Sequence, residues 1–333
     1  MRKLTSILAI LLSTSIIAVG CTKPNTSTNS GSNGTNSDGV SVGIIQYMDH
    51  VALDSAREGF IAALSDNGYK EGENLTIDYQ NAQGDQSNLS TISDRFVSNK
   101  VDLVLAIATP AAQSIAGKTT EIPILATAVT DYEAAKLVDS IDAPGGNVTG
   151  TTDMNPIKEQ IELLVKLAPN AKTIGLLYTS SEENSIVQAN IAKEVIEGLG
   201  LSHVEVTVTN SNDVQQATQS IVNQCDAIYI PTDNTFASAM PVVHGVTAES
   251  KTPVVCGESG MVANGGLATL GINYYDLGYQ TGLMAVKVLN GEANPATMPI
   301  ESATKFDFSI NGAVAEEIEI EIPDDLKEYV VKE

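Results

Sequence analysis

Val42-Gly43-Ile44-Ile45 is followed, 132 residues later, by Ile174-Gly175-Leu176-Leu177. Asn67-Gly68 returns as Leu199-Gly200, Asp102-Leu103-Val104-Leu105 as Asp226-Ala227-Ile228-Tyr229, and Pro123-Ile124-Leu125 as Pro253-Val254-Val255. Gly145-Gly146-Asn147-Val148-Thr149-Gly150 is echoed by Gly265-Gly266-Leu267-Ala268-Thr269-Leu270-Gly271. The echoes keep their order and nearly their spacing. Each begins with a short apolar run and continues into a helix-like stretch, which is a βα pattern. Two such halves predict two similar α/β lobes with parallel sheets, facing each other across a cleft able to hold a ligand.

Working outward, residues 40–47, 75–79, 102–108 and 123–129 read as strands of the first lobe. Helices are expected over 53–68, 89–99 (with Asp85 as cap) and 110–117. The run 102–108 is continuously apolar, as in a strand buried on both faces. The segment 145–150 should leave the first lobe, and a helix over 157–167 should open the second. There the strands fall at 173–178, 204–208, 227–230, 254–256 and 267–271, with helices over 185–199, 213–224 and 235–250. A helix over 275–290 should return to the first lobe, and 304–310 should cross once more. The expected lobes are therefore 40–152 plus 273–308, and 153–272 plus 309–333.

Residues 1–20 have the form of an export signal: Arg2 and Lys3, then an apolar core, then Ala18-Val19-Gly20 before Cys21. Small residues preceding a cysteine predict cleavage there and a lipid on the Cys21 sulfur. Residues 21–39, rich in Ser, Thr, Asn and Gly, read as a flexible tether about 25 Å long. Cleavage leaves 16 Lys and Arg against 41 Asp and Glu, so the net charge moves from −23 to −25. Such a chain does not bind nucleic acid, which needs a basic stripe, and it suits a soluble extracytoplasmic domain. Only Cys225 and Cys256 would remain as thiols, and two buried free thiols are expected. His50, His203 and His244 are scattered, there is no CxxC, and a zinc site has no support.

Ligands of open parallel sheets bind at the carboxyl ends of strands. Polar residues cluster there: Gln46-Tyr47-Met48-Asp49-His50, Thr130-Asp131, Thr152-Asp153, Thr179-Ser180-Ser181-Glu182, Pro231-Thr232-Asp233-Asn234 and Gly257-Glu258. Such residues also cap helices and form turns, but on two facing lobes they predict a polar cleft. In Thr109-Pro110-Ala111-Ala112, a proline at the helix start and small side chains after it predict free amides for a carboxylate. The mature chain has only Arg57 and Arg95, both in helix bodies, so amides would have to hold that carboxylate. Asp131, Asp153, Asp233 and Glu258 are candidates for an ammonium group. Together these features describe an α-amino acid. The absence of Trp and the scarcity of Phe argue against a stacked sugar. Gly117-Lys118-Thr119 lacks the earlier glycine of a phosphate loop, and no nucleophile elbow or dinucleotide fingerprint is present.

Val42–His50, Ala52-Leu53-Asp54, Arg57-x-Gly59-Phe60, Ala108–Gln113, Val129-Thr130-Asp131 and Tyr229-x-Pro231-Thr232-Asp233-Asn234 resemble the ABC-transporter substrate-binding proteins for tryptophan and other aromatic amino acids. The resemblance implies the type I periplasmic-binding-protein fold, with two Rossmann-like lobes joined by three crossings. It implies a permease and an ATPase as partners, and no catalytic residues or cofactor. The resulting expectation is a monomeric, lipid-anchored binding protein. Its pocket would hold an aromatic amino acid with Thr109, Ala111 and Ala112 at the carboxylate and Asp131, Asp153 or Asp233 at the ammonium. Gln46, Tyr47, His50, Asn234 and Glu258 would line the rest. The same fold could instead carry a sugar, a nucleoside or another small solute, for transport or sensing.

Overall fold

A computed structural model of the chain describes residues 39–303 and 305–331. The expected signal, Cys21 and nearly all of the expected tether lie outside the described residues.

The first lobe begins with β1 (Val40–Gln46), α1 (Val51–Asp66), β2 (Leu75–Asn81) and α2 (Gln86–Asn99). Then come β3 (Leu103–Ile107), α3 (Thr109–Ala116), β4 (Ile124–Val129) and β5 (Val148–Thr152). The second lobe runs through α4 (Ile157–Leu167), β6 (Thr173–Thr179), α5 (Glu183–Gly198), β7 (Ser202–Val208) and α6 (Val214–Ile221). It continues with β8 (Ala227–Ile230), α7 (Asn234–Ser250), β9 (Val254–Cys256), α8 (Ser259–Ala263) and β10 (Ala268–Gly271). Last are α9 (Tyr274–Leu289), β11 (Glu301–Ser302), β12 (Asp307–Asn311), α10 (Gly312–Glu317) and β13 (Val330–Val331).

The internal repeat is visible in the sheet order. Among the described residues the first sheet runs β11-β5-β4-β3-β1-β2 and the second β13-β12-β10-β9-β8-β6-β7. The five strands β5-β4-β3-β1-β2 and β10-β9-β8-β6-β7 follow the same order, and all are parallel. β3 is buried at every residue, as expected of a parallel strand covered on both faces. The second sheet carries one apolar cluster under α4, α5 and α10 and another under α6, α7 and α8. Gly43 makes room for the Phe96 ring, which would lie 2.8 Å from a Cβ there.

The crossings exchange helices. After β5 the chain passes to α4, which packs on the second sheet; after β10 it passes to α9, which packs on α1, β4 and β5. The α1–α9 contact is close: a Cβ at Gly278 would sit 1.9 Å from the Ala56 carbonyl oxygen, and one at Gly59 would sit 2.0 Å from that of Tyr275. The third crossing falls between Ser302 of the first sheet and Asp307 of the second. The expected break at 308/309 is therefore corrected toward the amino terminus, because Asp307–Ile310 already pairs antiparallel with β10. Asp85 caps α2 through the amides of Ser87 and Asn88, as its position predicts. Helix α8 has no counterpart in the sequence reading, since five residues are too few to show a helical period. Cys225 and Cys256 are free. No described helix is long and apolar enough to cross a membrane.

Candidate functional site

The carboxyl ends of both sheets meet over a narrow cavity with a water-accessible volume of about 10 Å3. The first lobe contributes His50, Leu53, Ala128 and Thr130, and the second contributes Asn184, Thr232, Asp233, Asn234, Ala237 and Glu258. Asp153, just after β5, and Tyr274, the first residue of α9, enter from the crossings. That is room for about one water molecule, so the lobes must part to admit a solute.

Two alanines bend the first lobe's strand ends into place. Ala108, before α3, has φ 83°, and Ala128, within β4, has φ 55°. Left-handed backbone at a residue with a Cβ costs of order 1–3 kcal/mol and concentrates at functional sites. Ala128 stands where the β4–β5 register shifts, and it lines the cavity.

The carboxylates differ in how much accepting capacity they retain. Asp153 is buried and accepts one bond per oxygen, 2.8 Å from Thr130 Oγ1 and 2.7 Å from the Tyr274 hydroxyl. Burial raises its pKa, against the pull of those two donors. Glu258 is the N-cap of α8 and accepts from the amides of Gly260 and Met261. Burial pushes it up to about 7 despite those amides, and nearby Asp153 adds to the rise. Both residues keep lone pairs to spare. Asp233 does not. Its oxygens take the Thr179 amide at 2.6 Å, Thr179 Oγ1 at 2.9 Å, Ser185 Oγ at 2.8 Å and the Phe236 amide at 2.9 Å. Burial raises its pKa, as does the charge of Glu182. The Tyr274 hydroxyl is held protonated by burial beside Asp153 and Glu258.

His50 reaches across the cleft, its Nε2 lying 3.2 Å from Asn234 Oδ1. Burial lowers its pKa to about 4, so the ring is neutral near pH 7. Its Nδ1 is buried without a partner, as is Asn184 Oδ1. The cavity thus presents unfilled acceptors, and no Lys or Arg is among its lining residues. Among the described residues no group of His, Cys, Asp and Glu is arranged to hold a metal ion.

Of the residues singled out from sequence, His50, Asp153, Asp233, Asn234 and Glu258 are brought together here. Tyr47 is buried, and the charges of Glu182 and Asp233 contribute to raising its pKa. Gln46 is tied inside the first lobe, donating to Met48 O and Asp54 and accepting from Arg57. Asp131 caps the turn that follows it, accepting from the amides of Glu133 and Ala134. The expected open amides at α3 are corrected: α3 begins at Thr109, and the amides of Ala111 and Ala112 both donate to the Ala108 carbonyl at 3.1 Å. Thr109 keeps a buried hydroxyl without a partner. Leu53, Ala128, Asn184 and Ala237 escaped the sequence reading. Three are apolar and read as core; Asn184 lies just past a strand-end cluster, where its offset from Glu182 was the available signal.

A family model described as ABC transporter substrate binding protein matches residues 41–332. The chain is 41% identical over 315 residues to a tyrosine-binding protein of Clostridioides difficile, covering 92% of this chain and 89% of that one. An ABC domain from Streptococcus pneumonia solved in complex with L-Trp superposes with a TM-score of 0.85 at 40% identity, covering 88% of this chain and all of that one. The ligand-free, open structure of a substrate-binding protein with adhesive properties from Clostridium difficile is 45% identical and superposes less closely, with a TM-score of 0.68 over 88% of this chain and 99% of that one. The two-lobed architecture is that of the type I periplasmic-binding proteins.

Proposed function

Because the chain belongs to the family of ABC transporter substrate binding proteins, we propose that it captures a free aromatic amino acid in the interlobe cavity and delivers it to a permease powered by an ATPase. The observation that carries the ligand class is the surplus of acceptors: Asp153 and Glu258 with lone pairs to spare, bare His50 Nδ1 and Asn184 Oδ1, and no cationic side chain in the lining. A solute with several N–H donors and a positive charge complements that set, and an α-ammonium group has both. Asp153 and Glu258 receive the ammonium, whereas Asp233, whose oxygens are filled, holds the start of α7 in place. Leu53, Ala128 and Ala237 provide apolar wall for a side chain. The tyrosine-binding and L-Trp-bound relatives support an aromatic one.

The closer superposition on the L-Trp complex than on the open, ligand-free relative supports reading this arrangement of lobes as the closed one. Opening then occurs by a hinge at the crossings, where the Asp153–Tyr274 hydrogen bond joins the first crossing to the second. The solute is bound and released unchanged. The protein works as a monomer outside the cytoplasm, held to the membrane by a lipid on Cys21.

Thermal unfolding of the chain from Ser37 onward, with each amino acid in turn, tests this reading. A ligand at 100 times its Kd adds about 2.7 kcal/mol of stability, a rise of several degrees in a chain of this size. A shift with L-tyrosine, L-tryptophan or L-phenylalanine is expected. A shift only with a sugar or nucleoside would remove the ammonium site.

A further inference from the structure

Glu182 is the residue before α5, yet its carboxylate does not cap that helix. It turns instead to the start of α7 and is buried there. Five donors converge on it: the amides of Asn234 and Thr235 at 3.2 Å, Thr235 Oγ1 at 2.9 Å, and the side-chain nitrogens of Asn234 and Asn184. It does not line the cavity. A carboxylate with this surround only accepts, so the Asn234 amide must turn its nitrogen toward Glu182. That leaves Asn234 Oδ1, also only an acceptor, facing His50 Nε2 at 3.2 Å across the cleft. The hydrogen must then sit on Nε2, because burial keeps the ring neutral and a bond needs a donor. The other nitrogen, Nδ1, is left bare, buried and without a partner in a residue that lines the cavity.

We propose that Glu182 is a positioning residue. Through Asn234 it sets the tautomer of His50, so that one ring nitrogen latches the two lobes and the other is held as an acceptor for the ammonium group of the ligand. The proposal rests on the amino acid reading above and adds to it a residue that never touches the solute. It also makes closure and recognition a single event: the Nε2 bond needs both lobes, and the same bond fixes which face the ring shows the ligand.

The test is the tautomer of His50, read from the imidazole 15N shifts of labelled protein saturated with L-tyrosine and assigned by the loss of one ring's signals in His50→Gln. Wild type is expected to carry its hydrogen on Nε2. In Glu182→Gln the new amide can donate to Asn234 Oδ1, the Asn234 side chain turns over, and its nitrogen now faces His50. The hydrogen should move to Nδ1, placing a donor against the ligand ammonium, and affinity for L-tyrosine in calorimetry should fall at least tenfold. A weaker Glu182→Gln with an unmoved tautomer would reduce Glu182 to a structural role and overturn the proposal. A wild type that binds L-tyrosine with Nδ1 protonated overturns it without any variant. Failure of the underlying ligand reading looks different, as no heat from wild type with L-tyrosine, L-tryptophan or L-phenylalanine, and it would remove the acceptor role of Nδ1 as well.

Discussion

Thr109 and Asp233 occupy equivalent places in the two halves of the repeat, each at the helix start that follows the middle one of the five repeated strands, β3 or β8. In the first lobe that start is nearly bare. The residue before it is Ala108, left-handed and without a side-chain cap, and its carbonyl absorbs the first amides. In the second lobe the same turn carries the buried carboxylate of Asp233, and that of Glu182 reaches it from the turn before α5, with donors around both. The two copies of one scaffold have taken on different roles. The first lobe supplies room, apolar wall and a neutral ring, and the second supplies charge.

If the division is right, the strongest blow to it is Asp233→Ala. Four protein donors lose their acceptor, and about 3 kcal/mol of stability should go with them, read as a Tm fall of several degrees, while affinity for L-tyrosine drops less than tenfold. A variant that stays stable but no longer binds would make Asp233 the ammonium partner. Asp153→Asn should do the reverse. Its two hydrogen-bond partners are kept, the charge goes, and affinity should weaken about 30-fold, or about 2 kcal/mol, with little change in Tm. A loss of under threefold would move the charge recognition to Glu258 alone.

The pH dependence sharpens the comparison with two opposite trends. Glu258 is pushed up to about 7 in the folded chain, from an ordinary value of 4.5. Its contribution to the stability of the unliganded protein is therefore present below 4.5 and lost as pH rises through about 7, so unfolding at pH 6 should come at higher temperature than at pH 8. Binding an ammonium needs the ionised form, so affinity should fall about tenfold between pH 8 and pH 6, with proton release measurable in buffers of different ionisation heat. A pH-independent affinity would place the ligand's charge away from Glu258. The smallest effect expected is that of Thr109→Val. Removing a buried hydroxyl without a partner should raise stability by about 1 kcal/mol and leave binding unchanged; a tenfold loss of affinity instead would restore the carboxylate to α3.

The sheets were legible because each strand of a doubly covered parallel sheet is an apolar run, and Leu103–Ile107 and Ala227–Ile230 have no other reading. The strand ends were legible as polar. Whether a given Asp caps a helix or meets a ligand was not, because both roles use the same residue at the same place. Asp233 is set apart from Asp153 by the four donors around its oxygens, and Asp131 by lying outside the cavity lining. Ala128 and Leu53 were hidden because apolar residues in a site look like core. Glu182 was hidden because its partner, Asn234, lies 52 residues further on, and neither residue carries a mark of the other.

The nesting of one lobe within the other also sets an order of events as the chain folds. The second sheet is built mostly from one stretch, 173–271, whereas α9 must return to α1 before the first core is complete, and Gly278 touches the helix turn of Ala56 from 222 residues away. Closing so long a loop precedes any reward from the contact it makes. The amino-terminal lobe, first to be synthesised, is thus the last to finish, and a chain halted before residue 274 would hold its second sheet beside an α1 whose apolar face is still open to water.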